Sequence, residues 1–137
     1  MNYNYLNCSH NKIFKTNKFI YKFFKSDIKY DIEKDFYLNT RKYFCFIPKI
    51  YAFNDSRKLL IIENCGEKIT KKEFIEEKDF FKILHDLIVL KTSYYHRDLY
   101  YKNIVKNNKN QYFIIDFESS SKKNDNIHKR SKEFYIN

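Results

Sequence analysis

Two neighbouring stretches of this chain hold its most informative residues: His96-Arg97-Asp98-Leu99-Tyr100-Tyr101-Lys102-Asn103 and Ile114-Ile115-Asp116-Phe117-Glu118. Asn103 follows Asp98 by five residues, and Asp116 follows Asn103 by thirteen. The sequence between them predicts a hairpin of two strands, over 103–106 and 111–116, joined by an asparagine-rich turn. Such a hairpin would hold an amide and a carboxylate rigidly on its two opposite strands.

Taken together, these motifs resemble the catalytic half of the protein kinase-like phosphotransferases, where H-R-D-L-x-x-x-N precedes a short hairpin and a metal-binding Asp-Phe. Each motif alone is common, but the joint spacing and the hairpin context are hard to obtain by chance. The resemblance implies an α+β, two-lobed fold with a small antiparallel-sheet N-lobe and a reduced, mostly helical C-lobe. It also implies a phosphotransferase that uses ATP and Mg²⁺.

The resemblance assigns roles to residues of the motifs. Asp98 would orient the acceptor hydroxyl and take its proton, while Asn103 and Asp116 would bind Mg²⁺, which prefers oxygen ligands. Lys102 lies four residues after Asp98, where some tyrosine kinases place a basic residue, and is a further catalytic candidate. Phosphoryl transfer depends mainly on positioning and charge neutralisation, so these residue types suit the reaction.

The upstream half predicts a nucleotide-holding lobe. The strand-like run 18–24 carries Lys22 where the family has its phosphate-binding lysine. A following helix over 27–39 shows apolar residues at four-residue steps: Ile28, Ile32 and Phe36. Glu33 lies beside that stripe and is the candidate ion-pair partner of Lys22, with Asp31 and Asp35 as neighbours.

Two further strands, 46–53 and 59–63, fit the end of the same sheet. Glu63 and Cys65 stand where the family's hinge contacts adenine. Gly66 is the only glycine of the chain and marks a change of direction even without a hinge.

Two helices are predicted before the catalytic motif. Thr70 and Glu73 have the spacing of a capping box, which marks the start of the first helix. The second helix begins at Asp79, and its apolar residues predict a buried stripe: Phe80, Phe81, Leu84, Leu87 and Ile88. His85 lies near that stripe and is interpreted as a core histidine.

The chain also departs from the family pattern. No Gly-rich loop precedes the Lys22 strand, and segment 7–14 stands in its place, with Ser9 and Lys12 as candidate phosphate contacts. Ser9-x-Asn11 and Glu118 resemble choline and aminoglycoside kinases, whereas Arg97 and its neighbours resemble protein kinases or bacterial lipopolysaccharide-core kinases. We expect a protein Ser/Thr acceptor, with a small-molecule acceptor or a catalytically weak pseudokinase scaffold as alternatives.

The resemblance divides the chain into an N-lobe over 1–63, a hinge over 64–67, a reduced C-lobe over 68–118 and a polar tail over 119–137. Only 19 residues of the given sequence follow Glu118, and we expect among them no counterpart of the substrate-binding helices of a protein kinase. We therefore expect an uncovered apolar face on the helix 79–91, with self-association or a partner protein that completes the lobe.

Composition limits the remaining classes of protein: membrane, secreted and nucleic-acid-binding. The chain has 137 residues, 43% of them hydrophobic, and contains no long apolar run or signal-peptide pattern, so we expect a cytoplasmic protein without a membrane span. Its three scattered cysteines suit a reducing compartment. A net charge of +10 favours nucleic-acid binding, but the basic residues are spread along the whole chain. A nucleic-acid-binding module is thus the less favoured alternative.

Overall fold

The computed structural model describes residues 4–7 and 11–122. In chain order, its elements are β1 (Asn4–Asn7), β2 (Asn11–Lys15), β3 (Phe19–Phe24), α1 (Asp27–Thr40), β4 (Ile50–Asn54), β5 (Leu59–Glu63), β6 (Glu67–Lys68), α2 (Lys71–Glu76), α3 (Lys78–Thr92), β7 (Ile104–Lys106) and β8 (Tyr112–Ile114), with short 3₁₀ turns at Arg41–Tyr43 and Tyr101–Asn103. The α+β class predicted from the sequence is confirmed.

The strands of the described residues form two antiparallel sheets. The larger sheet has five strands in the order β1-β2-β3-β5-β4, and the smaller has three in the order β6-β7-β8. β3 lies at the centre of the larger sheet, where Lys22 pairs with Ile13 on one side and with Leu60 on the other. The side chains of Lys22 and Phe24 are both buried, as expected for alternate residues on one face of a strand.

Helix α1 begins with Ser26 as its N-cap, whose hydroxyl accepts a hydrogen bond from Lys29 N at 3.2 Å. Its inward face differs from the predicted apolar stripe, because Ile28 is 72% exposed. The buried residues of the helix are Tyr30, Glu33, Phe36, Tyr37 and Thr40. Four of these five residues carry a polar group, all except Phe36. Apolar periodicity alone therefore assigned Ile28 to the wrong side of the helix.

Helices α2 and α3 are separated in sequence by a single residue, Glu77. The Thr70 hydroxyl caps α2 by accepting from Glu73 N at 3.1 Å. The Glu73 carboxylate accepts instead from Lys106 Nζ at 2.7 Å and from the Tyr112 hydroxyl, which joins α2 to the smaller sheet.

Helix α3 buries a narrower stripe than the sequence predicts. Phe81, Leu84, His85 and Ile88 are buried, but Phe80 and Leu87 are 43% and 44% exposed. The prediction that these last two residues belong to the core is therefore wrong. The buried side of α3 includes a histidine, and this shifts the inward face away from Phe80 and Leu87.

One hydrophobic cluster extends through the described residues of both sheets and the helices. Phe36 of α1 stacks on Phe117, which follows β8, with ring centroids 3.7 Å apart. The division into two lobes, with its hinge at 64–67, stays a prediction.

Residues after Glu118 continue to pack against the chain as far as they are described. Ser121 pairs with Tyr95 through two backbone hydrogen bonds, of 2.8 and 3.1 Å, and Ser120 is buried. The polar character of 119–122 thus coexists with ordered contacts. Within the part of the chain that the structure describes, no helix combines the length and the apolar character that a bilayer crossing needs.

Candidate functional site

The candidate site is centred on Lys22. Its ammonium nitrogen lies 2.7 Å from Glu33 Oε1 and 2.7 Å from Asp116 Oδ1, with Glu118 Oε2 at 3.8 Å. Strand β3 points Lys22 toward helix α1, which supplies Glu33. The two other carboxylates come from the segment after β8, 94 residues away in the case of Asp116. Lys22 therefore faces three carboxylates, and one of them, Glu118, also has Lys29 Nζ 3.9 Å from its Oε1.

The electrostatics of this cluster follow from burial and proximity. Burial alone would lower the pKa of Lys22, but the charges of Asp116, Glu33 and Glu118 outweigh it and raise that pKa. Burial raises the pKa of Glu33 to about 7, although Lys22 opposes the shift. Burial likewise acts to raise the pKa of Asp116, but the adjacent Lys22 ammonium lowers it overall. Lys22 is thus firmly charged, and Asp116 stays ionised.

The segment that carries Asp116 is held in an unusual conformation. Asp116 has a φ of +69°, in the left-handed region that non-glycine residues rarely adopt. The next residue, Phe117, is fully buried and anchors the segment in the core. Strain of this kind persists only where the surroundings enforce it, and it is concentrated at functional sites.

The acidic groups of this cluster suit a hard cation. Glu33, Asp116 and Glu118 each offer an oxygen, and these atoms lie within 4.8 Å of one another. The three carboxylates exceed the combined charge of Lys22 and Lys29 by one when all are ionised. Oxygen donors with such an excess fit the preferences of Mg²⁺.

The loop around Asp98 is fixed by hydrogen bonds to its backbone. His96 Nδ1 accepts from Asp98 N at 3.1 Å, and His96 Nε2 lies 2.8 Å from Ile115 O. A neutral ring with its proton on Nε2 satisfies both contacts, and burial lowers the pKa of His96. On the other side, Asn103 Nδ2 donates to Asp98 O at 2.7 Å. The His96 ring thus joins the Asp98 loop to Ile115, the residue immediately before Asp116.

Helix α3 supports the same loop. His85 Nε2 accepts from His96 N at 3.1 Å, and burial lowers the pKa of His85 to about 3. Arg97, at a φ of +71°, donates from Nε to Ser121 Oγ at 2.6 Å.

The predicted site residues divide into two groups. Lys22, Glu33 and Asp116 meet in the ion-pair cluster, and Asp98 and Asn103 meet in the adjoining loop. Ser9 lies outside the described residues. The other four lie apart from the Lys22 cluster: Lys12, Glu63, Cys65 and Lys102. Within the described chain, none of these four forms a hydrogen bond or an ion pair with Lys22, Asp98 or Asp116.

The surroundings of those four residues explain their separation. Lys12 is exposed on β2, and Lys102 is exposed with its Nζ 6.0 Å from the Tyr101 ring centroid. The Glu63 carboxylate accepts from Lys49 N at 3.1 Å. Cys65 is buried, and burial raises the pKa of its thiol, so the thiol is protonated at neutral pH.

Sequence reasoning missed the contact between Asn11 and Glu118. Asn11 Nδ2 donates to Glu118 Oε2 at 2.9 Å, and Lys29 Nζ lies 3.9 Å from Glu118 Oε1. This contact connects the start of β2 with the segment after β8. The acidic residue after Asp-Phe was the available signal, but its partner is 107 residues away in sequence.

Comparison with known proteins gives a match in three-dimensional structure only. No protein-family model matches the chain, and no curated protein matches its sequence. Among solved structures, a monomeric WbdD is 16% identical with a TM-score of 0.67 over 92% of this chain. A second WbdD structure, at 2.2 Å resolution, is 16% identical with a TM-score of 0.66 over 96% of the chain.

A third similar structure is WbdD crystallised with the kinase inhibitor LY294002, 15% identical with a TM-score of 0.65 over 90% of this chain. WbdD itself is described as a bifunctional kinase-methyltransferase. The chain spans about a third of the WbdD length, between 33% and 36% in these three structures. At such low identity the similarity shows a kinase-like fold and nothing more specific.

Proposed function

We propose that this protein is a phosphotransferase that uses ATP and Mg²⁺. The observation that carries the proposal is the position of Lys22, whose ammonium lies 2.7 Å from both Glu33 and Asp116. A lysine held between a helix carboxylate and a second carboxylate on a strained segment is suited to receive nucleotide phosphates. The kinase-like fold supports the same proposal by analogy.

In this proposal each residue has one task. Lys22 binds nucleotide phosphate, and Glu33 holds its side chain in position. Asp116 and Asn103 provide oxygen ligands for Mg²⁺, which would neutralise charge on the transferred group when bound. Asp98 orients the acceptor hydroxyl and accepts its proton. His96 keeps Asp98 in register with Asp116 through its bonds to Asp98 N and Ile115 O.

Nucleotide binding can be tested by thermal unfolding with ATP, with and without Mg²⁺. A ligand at ten times its dissociation constant adds about 1.4 kcal/mol to the free energy of unfolding, enough to raise Tm by several degrees. Asp116→Asn should remove the Mg²⁺-dependent part of that increase. Lys22→Met should remove the increase in Tm that ATP gives, because Lys22 is the proposed phosphate contact. Lys18→Met is its matched control, since Lys18 is exposed and directly precedes β3. If the protein is folded and its Tm does not change at millimolar ATP, the pseudokinase alternative is favoured.

Phosphoryl transfer itself needs a separate test. Asp98→Asn should lower the rate by about 10²–10⁴-fold while the protein stays folded, since that is the usual contribution of a positioned base. Equal rates in wild type and variant would point to a contaminating kinase.

The acceptor is proposed to be a protein Ser or Thr. A small-molecule acceptor is the second candidate. It is favoured by the 2.9 Å contact between Asn11 and Glu118, because both residues belong to the features that resemble choline and aminoglycoside kinases. Assays with a serine/threonine peptide library and with an amino alcohol or aminoglycoside panel distinguish the two.

A further inference from the structure

Helix α3 exposes a row of large apolar side chains along one side. Phe80, Ile83, Leu87 and Leu90 are 43%, 57%, 44% and 85% exposed. They follow one another by three, four and three residues, which is the a/d spacing of a coiled-coil seam. We call these four residues the α3 stripe. The face that α3 buries in its own core is a different one, so the stripe is additional to the core-facing side.

The charges around the α3 stripe differ from those of the whole chain. Segment 76–91 contains four acidic residues and three lysines, one negative charge in excess, whereas the chain carries +10. The acids gather at the start of the helix, with Glu76, Glu77 and Asp79, and Lys91 lies at its end. Two copies of the chain would therefore meet less repulsion here than elsewhere on their surface.

We propose that two copies of this protein pair through the α3 stripe, with their α3 helices antiparallel about a two-fold axis near position 85. Under this symmetry Phe80 packs on Leu90 of the second copy, and Ile83 packs on Leu87 of the second copy. A self-complementary surface of this type is what a two-fold dimer requires. The proposal is independent of the phosphotransferase activity proposed above.

The charged ends of the helix fit the same arrangement. Glu77 of one copy comes beside Lys91 of the other, offset by about 3 Å along the axis at 1.5 Å per residue. Because the contact is made twice, each end of the pair carries one ion pair. The opposed helix dipoles also favour an antiparallel arrangement. Lys91 directly follows Leu90 of the stripe, and its Nζ lies 4.9 Å from the ring centroid of the exposed Tyr43 in the same chain.

A seam of four residues per copy covers less area than a standard protein interface. We therefore expect a dissociation constant on the order of micromolar. Salt would screen the repulsion between two chains of +10 charge but would also weaken the two Glu77–Lys91 ion pairs, so we expect a small salt dependence.

Sedimentation equilibrium of the full chain over a wide concentration range tests the proposal. Wild type should change from monomer to dimer, and Ile83→Glu should weaken the dimer roughly a hundredfold, because the charge is buried twice in one interface. Ile75→Glu is the matched control, since Ile75 is 61% exposed but lies on α2, outside the stripe. Wild type that stays monomeric throughout, or a dimer that survives Ile83→Glu, would overturn the proposal.

The antiparallel geometry has its own test. Lys91→Glu should weaken the dimer about fivefold to tenfold by placing two acids together, and the double variant Glu77→Lys/Lys91→Glu should restore it. Circular dichroism verifies that each variant keeps its helix content. If the double variant dimerises no better than Lys91→Glu alone, the antiparallel arrangement is wrong.

Discussion

At the scale of single residues, the Lys22 side chain shows how a buried charge is supported. Its ammonium has two carboxylate oxygens at 2.7 Å and a third at 3.8 Å. Removing one member of such a buried pair is costly because it leaves an uncompensated charge. Burial is the main reason that the pKa of Glu33 is raised to about 7, and the excess of neighbouring carboxylates adds to the shift. A bound divalent cation would relieve that excess.

His85 makes a pH-dependent contribution to stability that can be predicted with its sign. Burial lowers the pKa of His85 from 6.5 to about 3. Between these two pH values His85 is protonated in the unfolded chain but neutral in the folded chain. The resulting stabilisation is complete above pH 6.5 and is lost as the pH falls toward 3. Between pH 6.5 and 5 the loss should be about 2 kcal/mol.

Urea unfolding of wild type and His85→Gln over that pH range measures this contribution. Glutamine keeps an acceptor for His96 N but does not titrate, so the variant should lack the acid-dependent loss. The comparison cancels the opposite effect of Glu33, whose raised pKa makes stability fall as the pH rises from about 4.5 to about 7. Parallel pH profiles for the two proteins would show that His85 is protonated without penalty.

At the scale of secondary-structure elements, local patterns predict some features well and others poorly. The hairpin at 103–116 is present, with β7 and β8 in antiparallel register, because strand propensity and an asparagine-rich turn act together. The faces of α1 and α3 are less predictable. Glu33, Thr40 and His85 are polar yet buried, and their partners lie in distant segments. Apolar periodicity therefore assigned Ile28 and Leu87 to the interior, where tertiary contacts place other residues.

Gly66 gives a prediction at this scale. Its φ of +123° is unfavourable for other residues, and an added Cβ would overlap the Lys106 carbonyl oxygen and lie 2.6 Å from its carbonyl carbon. Both obstacles are backbone atoms, so side-chain rearrangement offers no relief. Gly66→Ala should therefore lower the free energy of unfolding by about 3 kcal/mol or more.

The matched control for this variant is Lys68→Ala, two residues away and exposed on β6, which should change stability by less than about 0.5 kcal/mol. Chemical denaturation of both variants gives the comparison. A Gly66→Ala protein as stable as Lys68→Ala would mean that β6 and β7 can separate freely at this point.

At the scale of the whole molecule, one hydrophobic cluster joins parts that the sequence presents as separate lobes. The spacing of the motifs in the sequence predicts that Asp98, Asn103 and Asp116 are site residues. It gives no indication that Phe36 and Phe117, 81 residues apart, stack on each other. Contacts of this range depend on how the sheets and helices are arranged, which periodicity does not report. Phe117 also packs against Tyr37 and His96, so it joins α1 to the loop of the candidate site.

Phe117→Ala should consequently destabilise the entire chain. Replacing a fully buried phenylalanine costs about 3–5 kcal/mol, a large part of the 5–15 kcal/mol that stabilises a typical domain. Phe53→Ala is the matched control, because Phe53 is 46% exposed on β4.

Far-ultraviolet circular dichroism follows the helices, and the fluorescence of the 13 tyrosines, with no tryptophan present, follows the aromatic core. Because a shared core makes unfolding cooperative, both signals should shift together to lower denaturant concentration. A Phe117→Ala protein that loses less than about 1 kcal/mol, or whose two signals separate into independent transitions, would show that the halves of the molecule fold without each other.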